Sequence, residues 1–396
     1  METTDPGNPA DPHASTTDPT RADTDLPAPH PSAATDSHAD APDAAAAGAL
    51  RRRLAWVALL ACSPYLLLKL LWVVGVDVGV VHPDELNRTQ WVVANALTFG
   101  MDAIAALIAY LLSRPRETRI RAWLITLPLW VASGLLVVIM SAVPLNLLGA
   151  AIGATDNPFA GDDLLRPWVY AIVYGGFIVE GAVLSGAFGL YVHERWGVLL
   201  RIRVRALPDP AGTRDAQRFL GTAAAVLLGV AGVLRMTWAL GSDLGMSGRW
   251  VAERNATGRF MDGVQGGLAL IGAVGLIVLV YRIGGGRVRG PLAMAWFGSG
   301  SAFGWGGWMG LISTAAAPES TLAERTSALL HVVYTAEMIT GVLALTIGWF
   351  FLSEYARHTG TPPRDLTPPP AEHTADRPER DRGSRSGGCA VGVWTG

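Results

Sequence analysis

Six charged side chains lie inside long apolar stretches of this sequence, where a charge is costly unless it is paired, hydrated or functional. Two are basic and four are acidic, so the acids are in excess. An excess of buried acids favours protonation or a bound cation, which suits proton or cation coupling. Protonated carboxyls that only hydrogen-bond between helices are the alternative. The six residues are Lys69, Asp102, Glu180, Arg235, Asp262 and Glu337.

The two bases each lie one turn before a tryptophan, near one end of an apolar stretch. One interpretation makes Lys69 and Arg235 contacts for a bound anion, or counter-charges for Asp102 and Asp262. The other has both side chains extend along the helix to the lipid headgroups, with the tryptophans in the aromatic belt.

The aspartates belong to polar stripes at helical spacing, which predicts that both face other helices rather than lipid. Asp102 lies about 12 residues from the next arginine-rich loop, whereas Asp262 lies about 20 residues from its own. The two would then differ in depth, at ~1.5 Å of rise per residue. Either the helix of Asp102 continues into its arginine loop or the two sites have diverged.

Motifs for metal, cofactor or enzyme chemistry are missing from the sequence. Cys62 and Cys389 lie far apart, and a haem held by two histidines would need paired imidazoles, whereas only His331 lies near the interior of an apolar stretch. No HExxH, phosphate-binding loop or Gly-x-Ser-x-Gly motif occurs. We therefore expect no metal, no cofactor and no nucleic acid, and an intramembrane enzyme is the weakest interpretation.

The composition predicts an all-α integral membrane protein, because 50% of the 396 residues are hydrophobic and only 16% are charged. Runs of roughly 20 apolar residues are long enough to cross ~30 Å of hydrocarbon as helices. The sequence predicts about eight such spans, at 54–74, 91–113, 122–148, 167–192, 219–240, 260–281, 291–314 and 327–352.

Both ends of the chain differ from the apolar centre. Residues 1–48 form an acidic tail rich in Pro, Ala and Asp, and residues 359–396 form a second polar tail. Such segments lack the apolar side chains that would offset the entropy of ordering, so both are predicted to be disordered. The centre divides into two membrane repeats of four helices, 49–205 and 206–358.

The loops predict the orientation, because Lys and Arg are retained on the cytoplasmic side. Arginine-rich loops alternate with acidic ones along the chain, which places both termini in the cytoplasm of a cell membrane. The loop that contains Arg249, Arg254 and Arg259 departs from this alternation. The basic groups lie at 51–53, 114–121, 201–218 and 282–289.

An internal duplication is the strongest pattern in the sequence. Trp72, Gly75 and Asp77 recur as Trp238, Gly241 and Asp243, each displaced by 166 positions, and three further sets of matches follow in the same order at 160 or 166. Four spans per repeat is an even number, so both repeats enter the membrane in the same direction. The repeats are then parallel and related by a pseudo-twofold axis along the membrane normal.

Several short motifs resemble those of uncharacterised actinobacterial multi-pass membrane proteins, over about residues 54–355. Some of those proteins carry the label "LigA, aromatic ring-opening dioxygenase", which describes a soluble iron enzyme. This sequence offers no ligand cluster that would hold such a metal. The resemblance implies a lineage and no activity. The motifs are Ser63-Pro64-Tyr65, Lys69, Trp72, Gly75, Met101-Asp102, Arg114-Pro115 and Pro128-Leu129-Trp130.

Two classes of function fit these features. The first is a transporter-like module that handles a small molecule or an ion at a polar site between the two repeats, built from the six intramembrane charges. The alternative is a structural or regulatory membrane component that recruits partners through its cytoplasmic tails. Membrane lipids are the partners common to both.

Overall fold

The computed structural model describes residues 32–358, except for 86, 115–121, 156, 158, 161–163, 208–211, 316–323 and 325. In this part of the chain nearly all regular structure is helical. The α-helices are α1 (Ser32–Val73), α2 (Arg88–Ser113), α3 (Ala122–Ala151), α4 (Pro167–Arg201), α5 (Arg214–Ala239), α6 (Gly248–Glu253), α7 (Ala256–Tyr281), α8 (Arg289–Ala315) and α9 (Ala328–His358).

Seven of these helices are long and apolar enough to cross a membrane, which confirms a multi-pass, all-α membrane protein. Most of their surface is not covered by protein, as expected for helices that face lipid. The spans are Ala45–Val73, Arg88–Ser113, Trp123–Ala151, Pro167–Arg201, Arg214–Ala239, Ala256–Tyr281 and Ala328–Tyr355.

Helix α8 is as long as the others but does not belong to that set, because glycine, serine and tryptophan lower its mean hydropathy. Its buried residues are small, and α3, α7 and α9 pack against it. A Cβ added to Gly298 would come within 2.4 Å of the Cα of Gly272 in α7. Only glycine allows two helices to approach this closely.

Helices α3 and α8 contact each other through reciprocal hydrogen bonds. The indole of Trp130 donates to the hydroxyl of Ser299 (3.3 Å), and the indole of Trp296 donates to the hydroxyl of Ser133 (2.9 Å). Trp296 and Ser299 follow Trp130 and Ser133 by 166 positions. Each helix therefore presents the same pair of side chains to the other, as in a contact with twofold symmetry.

The predicted tails lie mostly outside the described residues, namely 1–31 and 359–396. Helix α1 begins at Ser32, so residues 32–48 of the predicted N-terminal tail are helical. The run Ala44–Ala47 explains part of this difference, because alanine has the highest helix propensity of any residue. The expected disorder of 359–396 stays a prediction.

Candidate functional site

The same turn follows α1 and α5. Both helices are followed by a glycine in the left-handed region, with φ of +100° at Gly75 and +101° at Gly241. Glycine takes this conformation without the strain that a Cβ would cause, and it is the usual residue just beyond a helix C-terminus. The recurrence of these glycines in the sequence thus corresponds to a recurrence of the backbone conformation.

The tryptophans before these glycines hold the turns closed. The Trp72 indole donates to the carbonyl oxygen of Val78, and the Trp238 indole donates to that of Leu244, both at 2.9 Å. Both rings are buried, at 3% and 0% exposure, so neither tryptophan lies in an exposed aromatic belt. These residues position the preceding turn of α1 and of α5, where the two intramembrane bases lie.

The first-half cluster surrounds Lys69. Its ammonium group donates to the Asp102 carboxylate and lies 5.6 Å and 5.7 Å from the ring centres of Phe177 and Tyr65. The Tyr65 hydroxyl donates to the carboxyl of Glu180, which is 2% exposed. Helices α1, α2 and α4 thus bring together one base, two acids and two aromatic rings.

The second-half cluster surrounds Arg235. Its guanidinium donates to both carboxylate oxygens of Glu337, at 2.6 and 3.0 Å, and lies 3.6 Å from Asp262. Arg254 donates to the other oxygen of Asp262 at 2.8 Å. Helices α5, α7 and α9 and the segment before α7 therefore supply two bases and two acids in one network of ion pairs.

Lys69 and Arg235 are buried, at 8% and 5% exposure, and each is paired with an aspartate. Of the two interpretations drawn from the sequence, the structure places them as counter-charges for Asp102 and Asp262. Neither side chain is exposed. A buried base beside a buried acid is the arrangement that lowers the cost of both charges.

The aspartates lie in equivalent places relative to these bases. Helix α2 ends at Ser113, so it does not continue into the arginine loop, and that explanation of the unequal depths is wrong. The displacement between the halves falls from 166 positions at Arg88 and Arg254 to 160 at the aspartates. The first half therefore carries extra residues at the start of α2, since Asp102 follows Arg88 by 14 residues whereas Asp262 follows Arg254 by 8.

The glutamates are not equivalent. At the displacement of 160, the counterpart of Glu337 is Phe177, and the counterpart of Glu180 is Thr340. Phe177 puts an aromatic face beside Lys69 where Glu337 puts a carboxylate beside Arg235. Glu180 lies about one helical turn after Phe177 in α4. It accepts a hydrogen bond from the Tyr65 hydroxyl instead of pairing with the base.

A second pair of matched contacts lies at the other end of the helices. Arg51 donates to the carboxylate of Glu194 at 3.3 Å, and Gln217 donates to that of Glu354 at 2.8 Å. Gln217 follows Arg51 by 166 positions, and Glu354 follows Glu194 by 160. The same two helices in each half are therefore tied together at both ends.

The six predicted charges form two clusters, and each described ion pair joins residues of one half. That these charges form a functional site stays a prediction, as does a single polar site between the halves. Tyr65, Phe177 and Arg254 belong to the clusters but are missing from the six residues that the sequence suggested. Tyr65 precedes Lys69 by four residues, the spacing of neighbours on one helix face, which was the available signal.

No protein-family model, no curated protein and no solved structure matches this chain. Within the described ranges, no group of three or more His, Cys, Asp or Glu side chains is arranged to hold a metal ion. The charges and contacts of the two clusters therefore carry the functional interpretation.

Proposed function

We propose that this chain is an ion-handling membrane protein that takes up and releases a proton at Glu180 in its first half. In this proposal the second-half cluster is structural. The surrounding architecture is two parallel four-helix repeats with both termini in the cytoplasm. The observation that carries the proposal is the difference in charge balance between two clusters built on the same turn.

Helix α8 is the eighth span in this architecture. It has 27 residues, about 40 Å at 1.5 Å per residue, which is enough to cross the hydrocarbon. Its polar and small residues face α3, α7 and α9, so they need no contact with lipid. The reciprocal tryptophan contacts between α3 and α8 support a pseudo-twofold axis between the halves.

The charges of the second-half cluster balance. Arg235 and Arg254 face Asp262 and Glu337, and the Arg235 to Glu337 contact is bidentate. Removing one charge from such a network leaves the others buried without compensation. A network of this kind resists protonation and exchange of partners, which suits a structural role.

The charges of the first-half cluster do not balance. Lys69 pairs with Asp102, and the partner of Glu180 is the neutral hydroxyl of Tyr65. No cation makes an ion pair with Glu180 among the residues that the structure describes. A buried carboxylate without a counter-charge is costly, and a proton removes that cost.

A proton fits Glu180 better than a metal cation does. Hard cations in proteins take about six or more oxygen ligands. The Tyr65 hydroxyl is the one described side chain that hydrogen-bonds to Glu180, and the neighbouring Gly181 packs on the apolar side chains of Leu136 and Met140. One hydroxyl partner is compatible with a neutral carboxyl, whereas a hard cation would need several more oxygen ligands than the described residues supply around Glu180.

Lys69 links the protonation of Glu180 to the rest of the first half. Tyr65 connects the two groups, because the Lys69 ammonium lies 5.7 Å from the centre of its ring and its hydroxyl donates to Glu180. When Glu180 is neutral, Lys69 pairs with Asp102 alone. When Glu180 loses its proton, the ammonium group on its flexible chain is drawn toward the second carboxylate. Release of the proton would thereby loosen the contact between α1 and α2.

Proton uptake into liposomes tests this proposal. The purified protein is reconstituted around a trapped pH-sensitive dye, and a potassium gradient with valinomycin imposes a membrane potential. The wild-type protein is expected to acidify the lumen faster than protein-free liposomes do. Glu180→Gln cannot exchange a proton and is expected to reduce that rate at least about tenfold, as loss of an essential acid–base group does.

Thr340→Val is the matched control, because Thr340 occupies the position of Glu180 in the second half. It is expected to conduct protons at the wild-type rate. Equal rates for the wild-type protein and Glu180→Gln would overturn the proposal. So would a wild-type rate no higher than that of protein-free liposomes.

A further inference from the structure

Two loops contact each other through their backbones at the end of the bundle where α4 ends and α8 begins. Backbone hydrogen bonds of 2.9 and 3.0 Å join residues 202–204 to residues 286–288. They form an isolated antiparallel bridge in which Arg203 lies directly opposite Arg287. We call residues 201–205 and 286–289 the arginine staple.

The geometry of the bridge brings these two arginines close together. The two hydrogen bonds flank the Arg203 and Arg287 pair instead of joining it, and in such pairs the Cα atoms lie only about 4.5 Å apart with the side chains on the same face. The next residues, Val204 and Val288, are 1% and 0% exposed and pack in the apolar core. Because side chains alternate, both arginines point outward, and both are exposed.

The staple carries positive charge and has no acid among its own residues. The segments 201–207 and 282–290 contain no Asp or Glu. Three more exposed arginines flank the pair, at 201, 205 and 289. Like charges directly opposite each other on neighbouring strands destabilise a bridge. An anion between the two guanidinium groups would reverse that effect.

We propose that the arginine staple binds the phosphate of an anionic phospholipid headgroup. A guanidinium group offers forked donors that match phosphate oxygens, so two arginines that start from the same face of a bridge can share one phosphate. Helix α8 begins at Arg289, and the N-terminus of a long helix also favours an anion. The site lies at the ends of two long helices, which is the level of the headgroups, so a lipid is its source of phosphate.

This site is independent of Glu180 and goes beyond the proposed function. It would fix the depth of α4 and α8 in an anionic leaflet. The staple also joins the last loop of the first half to a loop of the second half, through residues 202–204 and 286–288. A bound headgroup would therefore hold the two halves together at this end.

Lipid retention by the full-length protein tests the site. The protein is purified in mild detergent, mixed with equal amounts of phosphatidylglycerol and phosphatidylcholine, and analysed by native mass spectrometry. The wild-type protein is expected to retain phosphatidylglycerol in preference. The double variant R203Q/R287Q is expected to lose about tenfold in this preference, as charge-assisted hydrogen bonds to a phosphate are lost.

The control variant is R52Q/R53Q, which removes two exposed arginines from α1 and the same total charge. It is expected to retain phosphatidylglycerol like the wild type. The proposal would be overturned if R203Q/R287Q kept the preference, or if R52Q/R53Q lost it equally. Displacement of phosphatidylglycerol by equimolar inorganic phosphate would assign the site to a soluble anion and would also overturn it.

Discussion

The two charged clusters share one backbone frame and differ in how their charges are compensated. In both halves a tryptophan and a glycine close the turn after the helix that carries the base. Arg235 forms ion pairs with two carboxylates, whereas Lys69 forms an ion pair with one carboxylate and lies beside two aromatic rings. The same turn therefore occurs beside a bidentate ion-pair network in one half and beside a carboxyl without an ion-pair partner, among the described residues, in the other.

The largest effect is expected for Arg235→Ala. This change leaves Glu337 buried without its bidentate partner and removes one of two counter-charges from Asp262. Breaking a buried pair in this way costs about 3–5 kcal/mol. Thermal unfolding of the detergent-solubilised protein, followed by size-exclusion chromatography, measures the loss.

Arg249→Ala is the control for that experiment, because Arg249 forms exposed ion pairs with Glu253 and Glu324. Exposed pairs contribute little to stability. The midpoint of unfolding should hardly change. If both arginine variants lowered the midpoint equally, the second-half network would not be the structural element we describe.

The two glutamates are expected to respond differently to the same substitution. Glu337→Gln removes one of the two charges that compensate Arg235 and should destabilise the fold by about 2 kcal/mol or more. Glu180→Gln keeps an acceptor for the Tyr65 hydroxyl and removes a carboxyl that lacks an ion-pair partner in the described part of the chain. Its unfolding midpoint in neutral buffer should therefore stay close to that of the wild type; a larger loss for Glu180→Gln would contradict the comparison.

The contact between the halves should be sensitive to a single methyl group. A Cβ at Gly134 in α3 would lie 2.2 Å from the carbonyl carbon of Gly300 in α8, so backbone must move. We expect Gly134→Ala to cost about 1–3 kcal/mol, the range for overpacked sites. Gly229→Ala in α5 meets no atom within 4 Å and serves as the control, with unchanged or slightly higher thermal stability.

The smallest effects are expected for the reciprocal tryptophans. Trp130→Phe and Trp296→Phe each remove one hydrogen bond to a serine, worth about 1 kcal/mol. The two variants should lower the unfolding midpoint by similar amounts. A double-mutant cycle of Trp296→Phe with Ser133→Ala should show coupling, and additive losses would argue that the bond does not contribute.

Much of the membrane fold could be predicted from the sequence, because lipid demands long apolar helices and few alternatives exist. Seven of the predicted spans correspond to helices that meet both conditions. Helix α8 shows the limit of that reasoning. Its glycines and serines pack against other helices, and mean hydropathy does not distinguish a helix surrounded by protein from one that is too polar to insert.

The partners of the charges were harder to predict than the charges themselves. A charged residue in an apolar run is visible in the sequence, but its partner lies on another helix. Arg254 was visible only as a base in an otherwise unsuitable loop, and the structure shows that it reaches Asp262. Phe177 could not be identified from the sequence, because aromatic residues are common in membrane spans. Only the structure shows that its ring lies beside Lys69.

Infrared difference spectroscopy of the protein in lipid detects the protonation of a buried carboxyl. Glu180 is proposed to exchange a proton, so a change of buffer pH should change the intensity of a protonated-carboxyl C=O band. We expect the wild-type protein and Thr340→Val to show this pH-dependent band, and Glu180→Gln to lack it. A band that persists in Glu180→Gln, or a wild-type spectrum without one, would contradict the assignment of the exchangeable carboxyl to the first half.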